Sequence, residues 1–225
     1  MCYNHLIYAD DTVLLAPSPK ALQTLINVCV NYAKDHDLVF NTKNTKFMYI
    51  KSDNLRNLFV PTFYIGETVI RKVHEETYLG YILNECFTDD DHMMKEMRNL
   101  FARGNMLMRN FSHCSEDVKI ALFKTFCSNI YCCALWYNFK NCSEKKIHIA
   151  CNKVFKALMK VARDFSASTL FAVCNVRNFP VLRRILVFSL RSRVYASPNA
   201  LVNNFLSTNN GLNALHRYWK SILYI

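Results

Sequence analysis

The stretch that decides the fold lies near the start of the chain and reads His5-Leu6-Ile7-Tyr8-Ala9-Asp10-Asp11-Thr12-Val13-Leu14-Leu15-Ala16. Apolar and β-branched residues occupy both ends of this stretch, and two aspartates occupy its centre. Two short apolar runs around a polar centre are typical of a β-hairpin. We therefore predict two antiparallel strands, with the carboxylates of Asp10 and Asp11 at or beside the turn.

Residues 17–87 predict one long helix and several further short strands. Ser18-Pro19 is a helix-start signal, and apolar residues then recur at three- and four-residue spacing to about His36. We expect residues 1–87 to form a small antiparallel sheet with this helix packed on it. The further strands are expected at Leu38-Val39-Phe40, Phe47-Met48-Tyr49-Ile50, a hairpin over 63–70, and Tyr78-Leu79-Gly80-Tyr81-Ile82-Leu83, where the glycine marks a bend or a close backbone approach.

From residue 88 onwards the apolar period becomes helical. Thr88, followed by three aspartates at 89–91, predicts an N-cap with an acidic first turn that complements the helix dipole. Further helices are expected to start at Ser115, Ser143 and Asn178, and shorter ones to cover 199–206 and 212–223. The apolar faces are expected on Val118, Leu122, Phe126 and Ile130 in the second helix, and on Ile147, Val154, Leu158 and Val161 in the third. The predicted fold class is α+β, with domains 1–87 and 88–225.

The composition of this 225-residue chain excludes several classes of protein. Hydrophobic residues make up 52%, enough for a sizeable core, while 4 Gly and 5 Pro are few for an all-β fold. The N-terminus has no basic segment and its apolar stretch is broken by Asp10, so no signal peptide is predicted. No apolar run approaches the roughly 20 residues that span a bilayer, and no glycine-rich phosphate loop is present.

The ten cysteines form no C-x-x-C pair. Cys132-Cys133 lies within an apolar run, so we expect free thiols and a reducing, intracellular location, nuclear or cytoplasmic. Cys142, His148 and Cys151 could be drawn as a zinc site, but their spacing fits no zinc-finger pattern.

Asp10 and Asp11 are the side chains best suited to chemistry. Adjacent carboxylates repel each other unless a positive group lies against them, and Mg²⁺, which prefers hard oxygen ligands, supplies such a charge. Two Mg²⁺ ions held about 4 Å apart can activate an attacking hydroxyl and stabilise a leaving pyrophosphate. The alternative is an ordinary solvent-exposed turn rich in aspartate.

Residues 5–16 resemble the catalytic hairpin of reverse transcriptases, specifically those of non-LTR (LINE-like) retrotransposons. The helix after Ser18, followed by Leu38-Val39-Phe40-Asn41 and Thr45-Lys46-Phe47-Met48, is similar to the next palm motif of that family. Tyr78-Leu79-Gly80 looks like the primer-grip turn, and Ile130–Tyr137 resembles the apolar helix segment after the thumb. Three motifs in this order indicate the family more specifically than the four residues Tyr8–Asp11 alone.

This resemblance implies an RNA-directed DNA polymerase that uses two Mg²⁺ ions, an RNA template, a DNA primer and deoxynucleotides. Residues 1–87 then correspond to the C-terminal part of a palm, and 88–225 to a helical thumb and connection-like region. Asp10 and Asp11 are implied as the catalytic and metal-binding residues, and Tyr78, Leu79 and Gly80 as the primer-grip-like turn.

Two departures from the family pattern affect the expected activity. Asn44 stands where the family has a lysine that protonates the leaving pyrophosphate, which leaves Lys43 or Lys46 as the substitute general acid. The third catalytic Asp of the family and its fingers lie upstream of the hairpin. We therefore expect the chain alone to bind Mg²⁺ weakly and to need an upstream palm–fingers portion for polymerisation.

The net charge of +11 is unevenly placed. Residues 1–112 hold 12 basic and 13 acidic side chains, and residues 113–225 hold 16 and 4. A basic half favours a polyanionic partner, with a solvated helical surface as the alternative. We expect no membrane partner.

The alternatives to a polymerase fragment are a helical nucleic-acid-binding module and a decayed or domesticated remnant without catalysis. The candidate nucleic-acid-binding residues, which lie near Phe188 and Tyr195, are Arg183, Arg184, Arg191 and Arg193.

Overall fold

The structure is a computed structural model that describes residues 4–50 and 61–223. These residues form two compact units. Unit 1 comprises the residues up to Tyr78 together with Leu83–Phe87, and unit 2 comprises Leu79–Ile82 together with the residues from Thr88 onwards. Short strands fill the first part of the chain and helices fill the second, so the predicted α+β class is confirmed.

Eight short strands are found in the described residues, and they pair two by two. The pairs β1·β2 and β4·β5 are antiparallel, whereas β3·β6 is parallel. The prediction of one antiparallel sheet is therefore wrong. The strands are β1 His5–Tyr8, β2 Asp11–Leu14, β3 Lys46–Phe47, β4 Tyr64–Ile65, β5 Thr68–Val69, β6 Arg71–Lys72, β7 Glu75–Tyr78 and β8 Tyr81–Asn84.

Two predicted strands of this region are also corrected. Residues 38–40 are irregular, and the side chain of Val39 is 95% exposed. Among residues 4–50 and 61–223, no strand pairs with this apolar run. Residues 48–50 are likewise irregular, and only Phe47 of that stretch lies in a strand. The predicted hairpin over 63–70 is present as β4 and β5, with Gly66 at a positive φ of 61° in its turn.

The long helix of unit 1, α1 Pro19–Asp35, begins as predicted. The Ser18 hydroxyl accepts a hydrogen bond from the Ala21 backbone N–H at 3.3 Å, and Pro19 occupies the first turn. Gln23 binds β4 through both ends of its amide, because it accepts from Tyr64 N at 3.0 Å and donates to Tyr64 O at 2.9 Å. The small core of this unit contains Ile26, Phe63 and Ile70, with Leu14, Leu22, Val30, Phe47 and Ile65 packed against them.

Unit 2 is almost wholly helical and has the larger core. Its centre is the packing of α2 on α4, where the Trp136 and Phe155 side chains are fully buried. None of the helices within residues 4–50 and 61–223 is long and apolar enough to cross a membrane. The helices of this unit are α2 Asp90–Asn110, α3 Glu116–Leu122, a π-helical turn Phe123–Cys127, α4 Asn141–Leu158, α5 Ala167–Val173, α6 Phe179–Tyr195, α7 Ala200–Ser207 and α8 Asn209–Leu223.

The buried face of the second predicted helix lies one residue later along the chain than predicted. Lys119 is already buried where Val118 was expected, so the offset begins in α3, before the π-helical turn that starts at Phe123. Phe123, Cys127 and Ile130 are buried, whereas Val118 and Phe126 are largely exposed. Of the predicted apolar face, only Ile130 is fully buried.

Three further boundaries differ from the prediction. The N-cap of α2 is Asp89 and not Thr88, and α4 begins at Asn141, so that Ser143 lies inside it. The segment Ile130–Tyr137 consists of turns and irregular backbone, not helix. The predicted starts of α3 at Ser115 and of α6 at Asn178 are confirmed as N-caps, and Asn178 Oδ1 accepts from Val181 N at 3.1 Å.

Candidate functional site

The predicted hairpin places two adjacent carboxylates at its tip. In the β1·β2 register Tyr8 pairs with Asp11, so Ala9 and Asp10 form a two-residue turn. Ala9 has a positive φ of 52°, a left-handed conformation that costs a non-glycine residue free energy and that is concentrated at functional sites. Asp10 and Asp11 are exposed, and within residues 4–50 and 61–223 neither carboxylate has a hydrogen-bond or ion-pair partner.

No third metal-binding residue joins the carboxylate pair in the part of the chain that the structure describes. Within the described parts of the chain, no group of three or more His, Cys, Asp or Glu side chains is placed to hold a metal ion. The same finding covers Cys142, His148 and Cys151, so these three residues do not form a zinc site. The nine described cysteines are free thiols. Asp10 and Asp11 thus offer two hard oxygen donors, which suit one hydrated Mg²⁺.

Several apolar side chains of the hairpin are exposed to solvent. Leu6 and Val13 are half-buried, but Ile7 is 65% exposed and Tyr8 is 63% exposed. Farther along unit 1, the large side chains of α1 and the segment after it are also exposed, namely Val28, Tyr32, Leu38 and Val39. An uncovered apolar surface of this kind is typical of an interaction site.

Residues Asn41–Thr45, which lie in the stretch that resembles the next palm motif, form a compact turn that carries Lys43. Asn41 closes this turn, because its backbone oxygen accepts from Asn44 N at 3.1 Å and from Thr45 N at 3.0 Å. Lys43 is exposed on the turn. Lys46 lies in β3, and its Nζ is 2.7 Å from the carboxylate of Glu76. Of the two candidate general acids, Lys46 is therefore engaged in an ion pair within unit 1.

Leu79 and Gly80 form a hairpin turn between β7 and β8, where the residue pattern predicted a strand with a bend at the glycine and the family resemblance implied a turn. Tyr78 ends β7, Tyr81 begins β8, and the two central residues have positive φ values of 47° for Leu79 and 80° for Gly80. Two consecutive positive φ angles are what a type I′ hairpin turn requires. The φ of Gly80 is the main reason for glycine at this position, and a Cβ there would also lie 3.2 Å from Tyr131 Cε1, so that ring would have to shift slightly.

Residues of unit 2 hold the Leu79–Gly80 turn in place. The Tyr131 hydroxyl donates to Leu79 O at 2.7 Å, and Lys95 Nζ donates to Gly80 O at 2.8 Å. Glu96 is buried and fixes Tyr131, since its Oε2 accepts from the Tyr131 backbone N–H at 3.0 Å. The sequence patterns predicted no role for these residues. The signal that points to a polar network in the core is the spacing of His92 and Glu96, which lie four residues apart on an otherwise apolar helix face.

His92 completes this network and is held in the neutral form. Its side chain is fully buried, and burial lowers its pKa from 6.5. Nδ1 accepts from Ile82 N at 3.4 Å, so the ring proton sits on Nε2, which donates to Tyr131 O at 3.3 Å. The Tyr81 ring stacks on His92 with ring centres 4.1 Å apart. Burial and a hydrogen bond to Asp89 raise the Tyr81 pKa, so its hydroxyl stays protonated.

The four candidate arginines of α6 do not form one surface. Arg183 is buried, pairs with Glu144, donates to Trp136 O at 3.0 Å and lies over the Phe139 ring. Its proposed contact with nucleic acid is therefore corrected to a structural role. Arg184 and Arg193 are exposed, and Arg191 is half-buried.

Comparison with known proteins gave no match: no family model, no curated protein and no solved structure is significantly similar to the chain. What the chain does is therefore inferred from its own residues.

Proposed function

We propose that this chain is the C-terminal part of a reverse transcriptase of the non-LTR retrotransposon type. In this proposal Asp10 and Asp11 bind Mg²⁺ for nucleotidyl transfer. The observation that carries the proposal is the two-residue hairpin turn, which holds two adjacent exposed carboxylates at its tip. The order of the hairpin, α1, the Asn41–Thr45 turn and the Leu79–Gly80 turn along the chain supports it.

The geometry of the hairpin favours a metal site over an ordinary surface turn. A surface turn has no need of alanine at a positive φ, since Gly or Asn adopts that conformation at a lower free-energy cost. Ala9 keeps a small side chain beside the two carboxylates while the strand pairing fixes their position. A bound Mg²⁺ would supply the charge that removes their mutual repulsion and would polarise a phosphoryl oxygen.

The exposed apolar side chains of unit 1 support the second half of the proposal, that an upstream palm–fingers portion completes the site. Ile7 and Tyr8 lie on the hairpin that carries the carboxylates. A strand packed on this face would cover them and could bring a third carboxylate to the pair. We expect the sequence encoded immediately upstream of Met1 to contain an apolar strand with an aspartate, and its absence there would count against the proposal.

The biochemical test is primer extension on an RNA template with Mg²⁺. The purified chain alone is expected to show no extension, and the chain joined in frame to its upstream sequence is expected to extend the primer. In the joined protein, Asp10→Asn and Asp11→Asn should each abolish extension. Asp35→Asn, which removes an exposed carboxylate elsewhere in unit 1, is the matched control and should leave it unchanged.

The outcomes separate the proposal from its alternatives. Extension that survives both substitutions at 10 and 11 would show that these carboxylates are not the catalytic pair. Extension by the chain alone would show that no upstream portion is needed. Binding of Mn²⁺, counted by electron paramagnetic resonance on the chain alone, gives an independent readout, because only the Asp10 and Asp11 variants should lose the bound ion.

A further inference from the structure

One face of α6 alternates basic and aromatic side chains. Arg184, Phe188, Arg191 and Tyr195 follow one another at spacings of four, three and four residues, which places them along a single helix face. Phe188 is 60% exposed and Tyr195 is also exposed. The neighbouring face, which includes Arg183 and Val187, is buried.

Helix α8 packs against α6 and adds further cationic side chains beside this face. Asn213, His216, Arg217 and Lys220 line an open groove of about 570 Å³. A second groove of about 440 Å³ shares His216 and Lys220 and is also lined by Arg191 of α6 and by Trp219. The two grooves therefore form one depression with basic side chains from both helices.

Aromatic rings fix the position of Arg191 in this depression. Its guanidinium carbon lies 5.8 Å from the centre of the Tyr195 ring and 5.7 Å from that of Trp219. The Tyr195 hydroxyl and His216 Nε2 are hydrogen-bonded at 2.8 Å, which joins the two helices at the edge of the groove. The groove is thus a built arrangement of rings and cations, not a set of independent flexible lysines.

The C-terminal part of the sequence carries charged side chains of one sign. Residues 165–225 contain seven Arg or Lys side chains and no Asp or Glu. A stretch of one sign produces a positive potential that attracts polyanions.

We propose that the groove between α6 and α8 binds a single-stranded segment of nucleic acid. Arg191, Arg217 and Lys220 contact its phosphates, and the exposed rings of Phe188 and Tyr195 stack on its bases. Stacking of this kind needs bases that are not already paired and stacked in a duplex. An acidic peptide would use the cations but would not cover the exposed parts of the Phe188 and Tyr195 rings. All of these residues belong to unit 2, so the inference does not rest on the proposed metal site.

The first test measures the salt dependence of binding. The full chain is titrated into a fluorescein-labelled 12-nucleotide oligouridylate, with fluorescence anisotropy read from 50 to 200 mM salt. Each phosphate contact on a single strand contributes about 0.7 to the slope of log K against log salt. Removing two contacts with Arg217→Ala/Lys220→Ala should therefore weaken binding. Raising the salt concentration fourfold should then weaken the binding of this variant about sevenfold less than it weakens the binding of the wild type. Lys145→Ala/Lys146→Ala, an equal loss of exposed charge on α4, should change neither.

The second test separates stacking from charge. Phe188→Ala should weaken binding by at least about fivefold without altering the salt slope, because a stacked base releases no counterions. Phe126→Ala, which removes another exposed ring of unit 2, is the matched control and should bind as the wild type does.

Several results would overturn the proposal. These are no binding at 50 mM salt, equal losses in the α4 and α8 double variants, and an unchanged affinity of Phe188→Ala. Competition by polyglutamate as strong as competition by unlabelled oligouridylate would also overturn it, because it would show recognition of negative charge alone. The Asp10→Asn and Asp11→Asn variants should bind the oligonucleotide normally, so the failure of one proposal is distinguishable from the failure of the other.

Discussion

Gly104 of α2 lies against Val154 of α4, and enlarging this glycine tests the core packing of unit 2. Gly104 is buried in the middle of α2. A Cβ built there would collide with Val154 Cγ1 and would lie 3.2 Å from Cγ2 and 3.4 Å from Cβ of the same side chain. Val154 is itself 2% exposed, so it has no free space to move into.

The structure sets the size and sign of the effect of Gly104→Ala. Alanine in a helix interior is favoured over glycine by about 0.5–1 kcal/mol, which alone would stabilise the protein. Overpacking a close-packed core costs about 1–3 kcal/mol. We therefore expect Gly104→Ala to lower the free energy of unfolding by about 1–2 kcal/mol. Val154→Ala alone loses two methyl groups, about 1.6 kcal/mol of transfer free energy, and adds a cavity.

The assay is urea denaturation of both single variants and of the double variant. In Gly104→Ala/Val154→Ala the new methyl group fills space that the valine vacates, so the double variant should be more stable than the sum of the single effects by about 1–2 kcal/mol. Ala102→Gly, at an exposed position of the same helix, supplies the helix-propensity difference without a clash. Additive single effects, or a Gly104→Ala protein more stable than the wild type, would refute the predicted contact.

Three further predictions concern the polar network and the cysteines. Because burial holds the pKa of His92 below 6.5, the unfolded chain binds more protons, and the free energy of unfolding should fall as the pH drops below about 6.5. His92→Gln should remove this dependence in urea titrations at several pH values. Tyr131→Phe deletes the hydrogen bond to Leu79 O and should cost about 0.5–1.5 kcal/mol by the same assay. Ellman's reagent should label the exposed thiols of Cys86 and Cys142 rapidly in the native protein, whereas Cys133, buried and with its pKa raised to about 12, should react only on unfolding.

The elements that the sequence predicted correctly are those with local signals. The Ser18 cap with Pro19 and the Asn178 cap with Pro180 fix the starts of α1 and α6, and both caps make the expected hydrogen bonds. The β1·β2 hairpin could also be predicted from a local pattern, because its apolar runs flank a polar centre. The parallel pairing of Lys46 with Arg71 joins residues far apart in the chain, and no local period reports it.

Arg183 shows why a side chain in a basic cluster cannot be assigned from the cluster alone. One residue along an α-helix turns the side chain by about 100°, so Arg183 and Arg184 point in different directions. Arg183 is buried against Glu144, which lies 39 residues earlier in the chain, whereas Arg184 is exposed. The sequence showed the charge and the aromatic neighbours, but only the packing of α6 on α4 separates the structural arginine from the exposed one.

The segment Ile130–Tyr137, for which the family resemblance implied a helix, has an irregular backbone, and its hydrogen bonds show why. A buried irregular segment must have its backbone N–H and C=O groups hydrogen-bonded by partners other than a helical ladder. Here side chains distant in sequence provide them. The contacts are Glu96 to Tyr131 N, His92 to Tyr131 O, Asp89 to Tyr137 N, Arg183 to Trp136 O and Tyr218 to Ala134 O.

These side chains come from α6, α8 and the start of α2, so the segment can adopt its irregular form only when those helices are assembled around it. The same assembly presents the Tyr131 hydroxyl to Leu79 O, which links the order of the Leu79–Gly80 turn to the folding of unit 2.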